Sequence, residues 1–235
     1  SWKMGQFFRE QKYLRTLTSP QMVAPARVCA FLRAEKTALS GLPMFNSYNW
    51  GGYLDYALYP DYRVFMDGRY LFAGLLKRTS SVEKHPGRWR SFMDEMGVDL
   101  ALLENNGHMI RSGRDIFWRA FDAYAMPRAD WALVYWDFQG LVLVRRAKVP
   151  DAWLKRHEFR LLRPRDLRHL GLRILSGGVR ETDVAAEIDR YVREIGDPVE
   201  SYALTRWFQE FRKGLAAGQA KPQDRKPARR QAAQF

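Results

Sequence analysis

The chain has 235 residues, 46% hydrophobic and 14% aromatic, a composition that excludes a disordered polymer and fits one large domain or one domain with an appendage. Its formal charge of +13 comes from 29 Arg and 10 Lys spread along the whole length, which reads first as a solvated Arg-rich surface and only second as a polyanion-binding face. One cysteine, Cys29, excludes an internal disulfide framework and a cysteine zinc cluster, and no run of about 18 apolar residues is present to cross a bilayer as a helix.

Residues 1–19 are basic and aromatic, and read as a lead-in or juxtamembrane segment. They lack the apolar stretch of a signal peptide, so the chain is expected either to be cytosolic or to be a piece of something larger. Ser19-Pro20 marks a helix entrance, and Val23, Ala26, Ala30 and Ala34 recur at helical spacing through Leu39 before Gly41. Cys29 lies on that helix between apolar neighbours and reads as a buried structural thiol. Pro43 to Tyr48 predicts a short strand. Trp50, Leu54 and Leu58 predict a helix stopped by Pro60, and Arg63 to Arg69 predicts a second strand punctuated by Asp67-Gly68.

Helices are expected over Leu71 to Arg78 and Trp89 to Met96, the latter ended by Gly97. Val98 to Leu103 predicts an apolar third strand, followed by a loop over Glu104 to Gly107, and Ile116 to Tyr124 predicts another helix. Trp131 to Trp136 and Leu141 to Arg146, joined by Asp137-Phe138-Gln139-Gly140, predict a hairpin. The fold class expected is α/β: a mixed, mostly parallel sheet of about five strands, with covering helices and a terminal β-hairpin. This domain occupies 20–164. A helical extension over 165–217 contains helices at Asp166 to Leu175, Glu181 to Ile195 and Pro198 to Leu215 that resemble a helical-repeat fragment. The tail, 218–235, is rich in Lys, Arg, Gln and Pro and is expected to be disordered and basic.

The densest candidate binding site combines Asn46, Tyr48, Trp50, Gly51, Gly52 and Tyr53 with Asp67, Gly68, Arg69 and Tyr70. Two glycines in the first turn of a helix permit close approach by another backbone or a ligand. Asp67 and Arg69 fall at the end of a predicted strand, where open α/β sheets place their ligand crevice. Both features also have a packing explanation: the glycines let the helix approach the sheet, and Asp67 serves as a turn acceptor. No dinucleotide fingerprint, phosphate loop or G-x-S-x-G elbow occurs, so no cofactor is expected. The four histidines show no ligand spacing, and no acid and base pair stands out, so neither metal nor catalytic residues are assigned.

The run Met44 to Leu54 with its Trp-Gly-Gly-Tyr-Leu, then Tyr59-Pro60, then Val64-Phe65-Met66-Asp67-Gly68-Arg69, is joined by Trp89, by Val98 to Leu103, and by the Trp131 to Arg146 hairpin with Asp137 at its turn. Together these resemble the soluble domain that follows the membrane helices in bacterial polytopic proteins of the C-superfamily, mannosyltransferase-like glycosyltransferase type. The resemblance covers about residues 20–164. It implies a membrane-associated, extracytoplasmic (periplasmic) domain attached to an enzyme that uses a polyprenyl-phosphate sugar donor. The catalytic acids of such an enzyme lie in its membrane part, so the chain alone is expected to be non-catalytic and to serve in acceptor binding or packing. Its implied partners are the membrane-embedded portion of the same or a partner protein, and a glycan or lipid-linked sugar. The alternative is a basic interaction module for nucleic acid, the less favoured partner, or for anionic lipid. A third reading makes Asp67 and Arg69 the working groups of a small sugar or phosphate enzyme.

Overall fold

A computed structural model describes residues 24–105, 108–111 and 118–216. The expected lead-in, the Ser19-Pro20 helix entrance, the start of the 116–124 helix and the basic tail lie outside the described residues. The chain divides after Arg165 into two compact units.

The first unit begins with helix α1, Ala26–Ala34, which buries Val28, Cys29 and Leu32, followed by the single turn α2, Lys36–Leu39. Strand β1, Met44–Asn46, is buried throughout. A 3-10 turn, Tyr48–Trp50, leads into α3, Gly51–Leu58, where Leu54 and Leu58 face the core. Tyr59 then takes extended backbone ahead of Pro60, as a residue before proline favours, and the helix ends. Helices α4, Ala73–Val82, and α5, Pro86–Glu95, follow, with Pro86 in the first turn of α5, where its missing N–H costs nothing.

Strand β2, Leu100–Glu104, runs parallel to β1, with Met44 opposite Leu100 and Asn46 opposite Leu102. The hairpin strands β5, Trp131–Trp136, and β6, Gly140–Arg145, complete the sheet in the order β1-β2-β6-β5. The hairpin folds back so that β6 lies antiparallel to β2, Leu102 opposite Val142. Trp131–Trp136 is buried at every position, so this strand reads as a continuous apolar run rather than an alternating one. Helix α1 packs on β5 and β6, and α7, Asp151–His157, packs on β5. Beyond α7, the Phe159 N–H donates to the Leu133 carbonyl at 2.8 Å, occupying part of the β5 edge.

The expected α/β class and the hairpin are present, but the sheet has four strands, with one parallel and two antiparallel pairings, rather than about five mostly parallel ones. Residues 63–69 form irregular chain with bends at Phe65, Gly68 and Arg69 instead of a strand. The Phe65 N–H and the Met66 carbonyl bond to the side chain of Asn46, which ends β1, instead of to a ladder. The helix expected over 116–124 is replaced, among the described residues, by a two-stranded ribbon of β3, Met109–Ile110, with β4, Arg119–Ala120, and by the single turn α6, Asp122–Ala125. Apolar side chains at Ala120 and Phe121 satisfy helical spacing equally well, yet the Phe121 N–H bonds across to the His108 carbonyl at 2.8 Å.

The second unit holds α8, Leu167–Leu175, α9, Glu181–Glu194, and α10, Pro198–Ala216. Its punctuation is local. Gly177, at φ +76°, ends α8, with the Gly178 N–H reaching back to the Arg173 carbonyl, and Gly196, at φ +57°, ends α9. The Asp197 carboxylate accepts the Val199 and Glu200 N–H groups at the entrance of α10. Leu170, Val184, Ile188, Tyr191, Leu204 and Phe208 form its core. Gly171 lets α8 approach the Phe211 ring, which a β-carbon there would meet at 3.2 Å.

Candidate functional site

The corner predicted from sequence assembles in space. Asn46 is fully buried at the end of β1. Its side-chain oxygen accepts the Phe65 N–H at 2.7 Å, and its amide donates to the carbonyls of Met66 and Ser47, each at 2.9 Å. One amide side chain thus stands in for a neighbouring strand and anchors the 63–67 segment beside the sheet. Gly51, in the first turn of α3, lies directly against that segment: a β-carbon there would fall 2.1 Å from the Met66 carbonyl oxygen and 2.5 Å from the Asp67 α-carbon. Gly52 has nothing within 4 Å of the same position. The Trp50 ring lies over Gly140, where a β-carbon would come within 2.7 Å of its Cη2.

Asp67 is buried and bonds to its own neighbour. It accepts the Arg69 N–H at 2.9 Å and the Arg69 Nε at 3.0 Å, and its second oxygen lies 2.6 Å from Arg69 Nη2. The hydrogen bond from the Arg69 side chain holds the Asp67 carboxyl below the ordinary aspartate range, with the backbone N–H and the guanidinium charge acting in the same direction against desolvation. The guanidinium pKa is raised reciprocally. Arg69 also stacks over Phe72, 5.5 Å from the ring centroid. This is a closed Asp-Gly-Arg turn, with both Asp67 carboxylate oxygens engaged by Arg69.

A cavity of about 680 Å³ opens beside the corner, at the carboxyl ends of the parallel strands β1 and β2. Its walls combine Phe45, Ser47, Tyr48 and Asn49 from the end of β1 and the turn after it with Leu103 and Glu104 from β2 and Asn105 just beyond it. Trp89 from α5, Thr79 and Glu83 from α4 and its end, His108 and Phe121 beside the ribbon, Asp122 and Arg165 close it. Across it the Asn49 amide donates to Glu104 Oε1 at 3.3 Å.

The floor is ordered by a chain of hydrogen bonds. Arg165 donates from Nε to the Asn105 side-chain oxygen at 3.2 Å and from Nη2 to the Asn105 carbonyl at 2.7 Å. Asn105 donates in turn to the Asp137 carbonyl at 2.8 Å, and the Asp137 carboxylate accepts Tyr135 Oη and the Gln139 and Gly140 N–H groups. Arg165 has φ +62°, left-handed backbone that a side chain rarely adopts and that its surroundings must hold in place.

Of the residues singled out from sequence, Tyr48 lines the cavity. Asn46, Gly51 and Asp67 build the joint behind it, Trp50 packs on the sheet, and Tyr53 is half-buried on α3. Gly52, Gly68 and Arg69 are exposed, and Tyr70 opens the 3-10 turn Tyr70–Phe72. Gly68 sits at the rim, its β-carbon position 4.0 Å from Tyr48 Oη. Sequence reasoning left Glu104 and Asn105 in a loop, although their place after an apolar strand was a usable signal. Nothing in the sequence marked Arg165, whose role depends on its backbone conformation. Among the described residues no group of three His, Cys, Asp or Glu side chains is placed to hold a metal ion, and no helix is long and apolar enough to cross a membrane. With this geometry in hand, comparison with protein-family models, curated proteins and solved structures finds no match.

Proposed function

We propose that the chain is a non-catalytic domain of a membrane glycosyltransferase-like protein, placed on the extracytoplasmic side, where it binds the acceptor beside the membrane-embedded portion of the same or a partner chain. The observation that supports this reading is the use of the motif itself. The segment Asn46 to Gly51 and the Asp67-Gly68-Arg69 turn interlock through Asn46 and Gly51, and the residues between, Ser47 to Asn49, form one wall of the cavity. A motif that both builds and lines a pocket at the strand ends suits a domain whose task is to present a ligand. The Asp67–Arg69 pair is closed on itself, and this weighs against those two side chains as the working groups of an enzyme.

The test is topological. The complete reading frame that carries this sequence is expressed with an epitope inserted at the exposed Tyr56 position, and intact spheroplasts are treated with protease. Membrane association together with digestion from outside is the expected outcome. Recovery of the chain in the soluble fraction, with no membrane protein attached or copurifying, overturns the reading.

A further inference from the structure

We infer that the outward side of α4, with the turn that joins it to α5, is a docking surface for anionic lipid headgroups. The inference rests on the reading of the chain as a domain beside a membrane, and it names the face turned toward the lipid.

The observation is where the unpartnered cations lie. Elsewhere Arg and Lys side chains are engaged, as Arg69 is by Asp67, Lys148 by Asp99 and Arg163 by Asp122. Among the described residues, Lys77, Lys84, Arg88 and Arg90 make no side-chain ion pair, hydrogen bond or ring contact, and all four are exposed. The acids closest to them in sequence do not offset them: Glu95 pairs with Arg78, Asp94 pairs with Arg145, and Glu83 lines the cavity. Outside the described residues the acids are Glu10, Asp115 and Asp224, outnumbered there by Arg and Lys, so those segments together add positive charge.

Local folding does not call for this placement. Arg88 stands in the first turn of α5, which carries no acidic residue, where the helix dipole favours an anion over a cation. Lys77 lies two positions from Thr79, the buried residue of α4, and so points away from the core together with the exposed Ser80 and Ser81. The other side of the same helix, through Leu76, Thr79 and Glu83, lines the cavity. Headgroups bound to the outer side of α4 therefore bring the cavity close to the membrane surface, where a lipid-linked substrate arrives.

A lipid surface suits this face better than a nucleic acid. The aromatic residue between 77 and 91 is Trp89, which is buried, so the patch offers no ring for a base to stack on. Leu71, 70% exposed just ahead of α4, supplies an apolar side chain for the headgroup boundary.

Cosedimentation of the full chain tests this with two probes, phosphatidylcholine vesicles with and without about 30 mol% phosphatidylglycerol, at low salt. The expected result is binding to the anionic vesicles alone, weakened roughly 30-fold by Lys77→Gln with Lys84→Gln, since each cation near such a surface is worth about fivefold. Lys155→Gln with Arg156→Gln removes the same charge from unpartnered, exposed side chains on α7 and should change binding by less than about threefold. Absence of binding to the anionic vesicles, or equal binding to both kinds, overturns the proposal. Equal loss in the two double variants assigns binding to net charge and overturns this surface. A DNA duplex that binds more tightly than the anionic vesicles, and is lost with Lys77→Gln and Lys84→Gln, overturns the choice of lipid. Any of these failures leaves the spheroplast result standing, and loss of that result leaves a measured headgroup affinity intact, so the two claims fail separately.

Discussion

Gly51 and Gly52 are chemically identical neighbours on one helix turn, yet they meet different surroundings. A methyl group at Gly51 collides with the backbone of Met66 and Asp67, which cannot swing aside as a flexible side-chain end can, whereas one at Gly52 enters open space. Gly51→Ala should therefore cost about 3 kcal/mol by overpacking. Gly52→Ala should stabilise by about 0.5–1 kcal/mol through helix propensity and reduced freedom of the unfolded chain. Urea unfolding of the two variants checks the opposite signs. Asp67 adds a pH-dependent contribution. Its carboxyl is held below its unfolded value by Arg69, so the folded state binds fewer protons there. The stabilisation is fully present above the unfolded aspartate pKa of about 3.9 and is lost as pH falls through the lower folded value. Melting temperatures of the native chain and Asp67→Asn should differ at neutral pH and converge in acid. A constant gap would assign the effect to packing. Cys29 behaves as its helix position implies: it is fully buried, and desolvation pushes its thiol up to about 11 despite nearby Arg33.

Among the elements, the irregular segment after α3 shows how a strand-like sequence can lack a strand. Arg63 to Arg69 carries Val64 and Phe65, which favour a strand, but β1 beside it is three residues long and the Asn46 amide at its end supplies both an acceptor and a donor of the kind a ladder provides. Asn46→Leu keeps the size and removes both bonds. It leaves the Phe65 N–H and the Met66 carbonyl without this partner, so a loss of about 3 kcal/mol is expected, with native-state hydrogen exchange accelerating first at Phe65. Unchanged exchange there would show that the segment is held by its apolar contacts, such as Phe65 on Phe45. The hairpin is the contrasting case. Its turn is closed by the Asp137 carboxylate within four residues, so a local reading of Asp-Phe-Gln-Gly between two apolar runs was sufficient.

At the scale of the whole molecule, each unit has its own core, one built on the four-stranded sheet and one on the three helices α8–α10. A chain ended at Arg165 should therefore keep the sheet. The check is near-ultraviolet circular dichroism with a cooperative melt, and a collapsed aromatic signal would show that the first unit depends on the second. The truncation also retains every described wall of the cavity, Arg165 included.

Much of this architecture was present in local sequence. Helices α8–α10 lie close to their expected limits because glycine, aspartate and proline stop and start them within a residue or two, and the buried hairpin strands were visible as apolar runs around a turn. The meeting of Gly51 with Asp67 was likewise expected from the motif. Strand order was not legible, since a sheet takes its neighbours from which faces remain to be buried, and that choice set β6 beside β2 and left one parallel pair. Nor was the cavity. Its walls come from positions as far apart as Phe45 and Arg165, and only folding, through the Asn46 bonds and the Arg165 backbone conformation, brings their polar groups around a shared space. Short-range backbone and side-chain preferences are written into neighbouring residues, while a pocket is a property of the distances between remote ones.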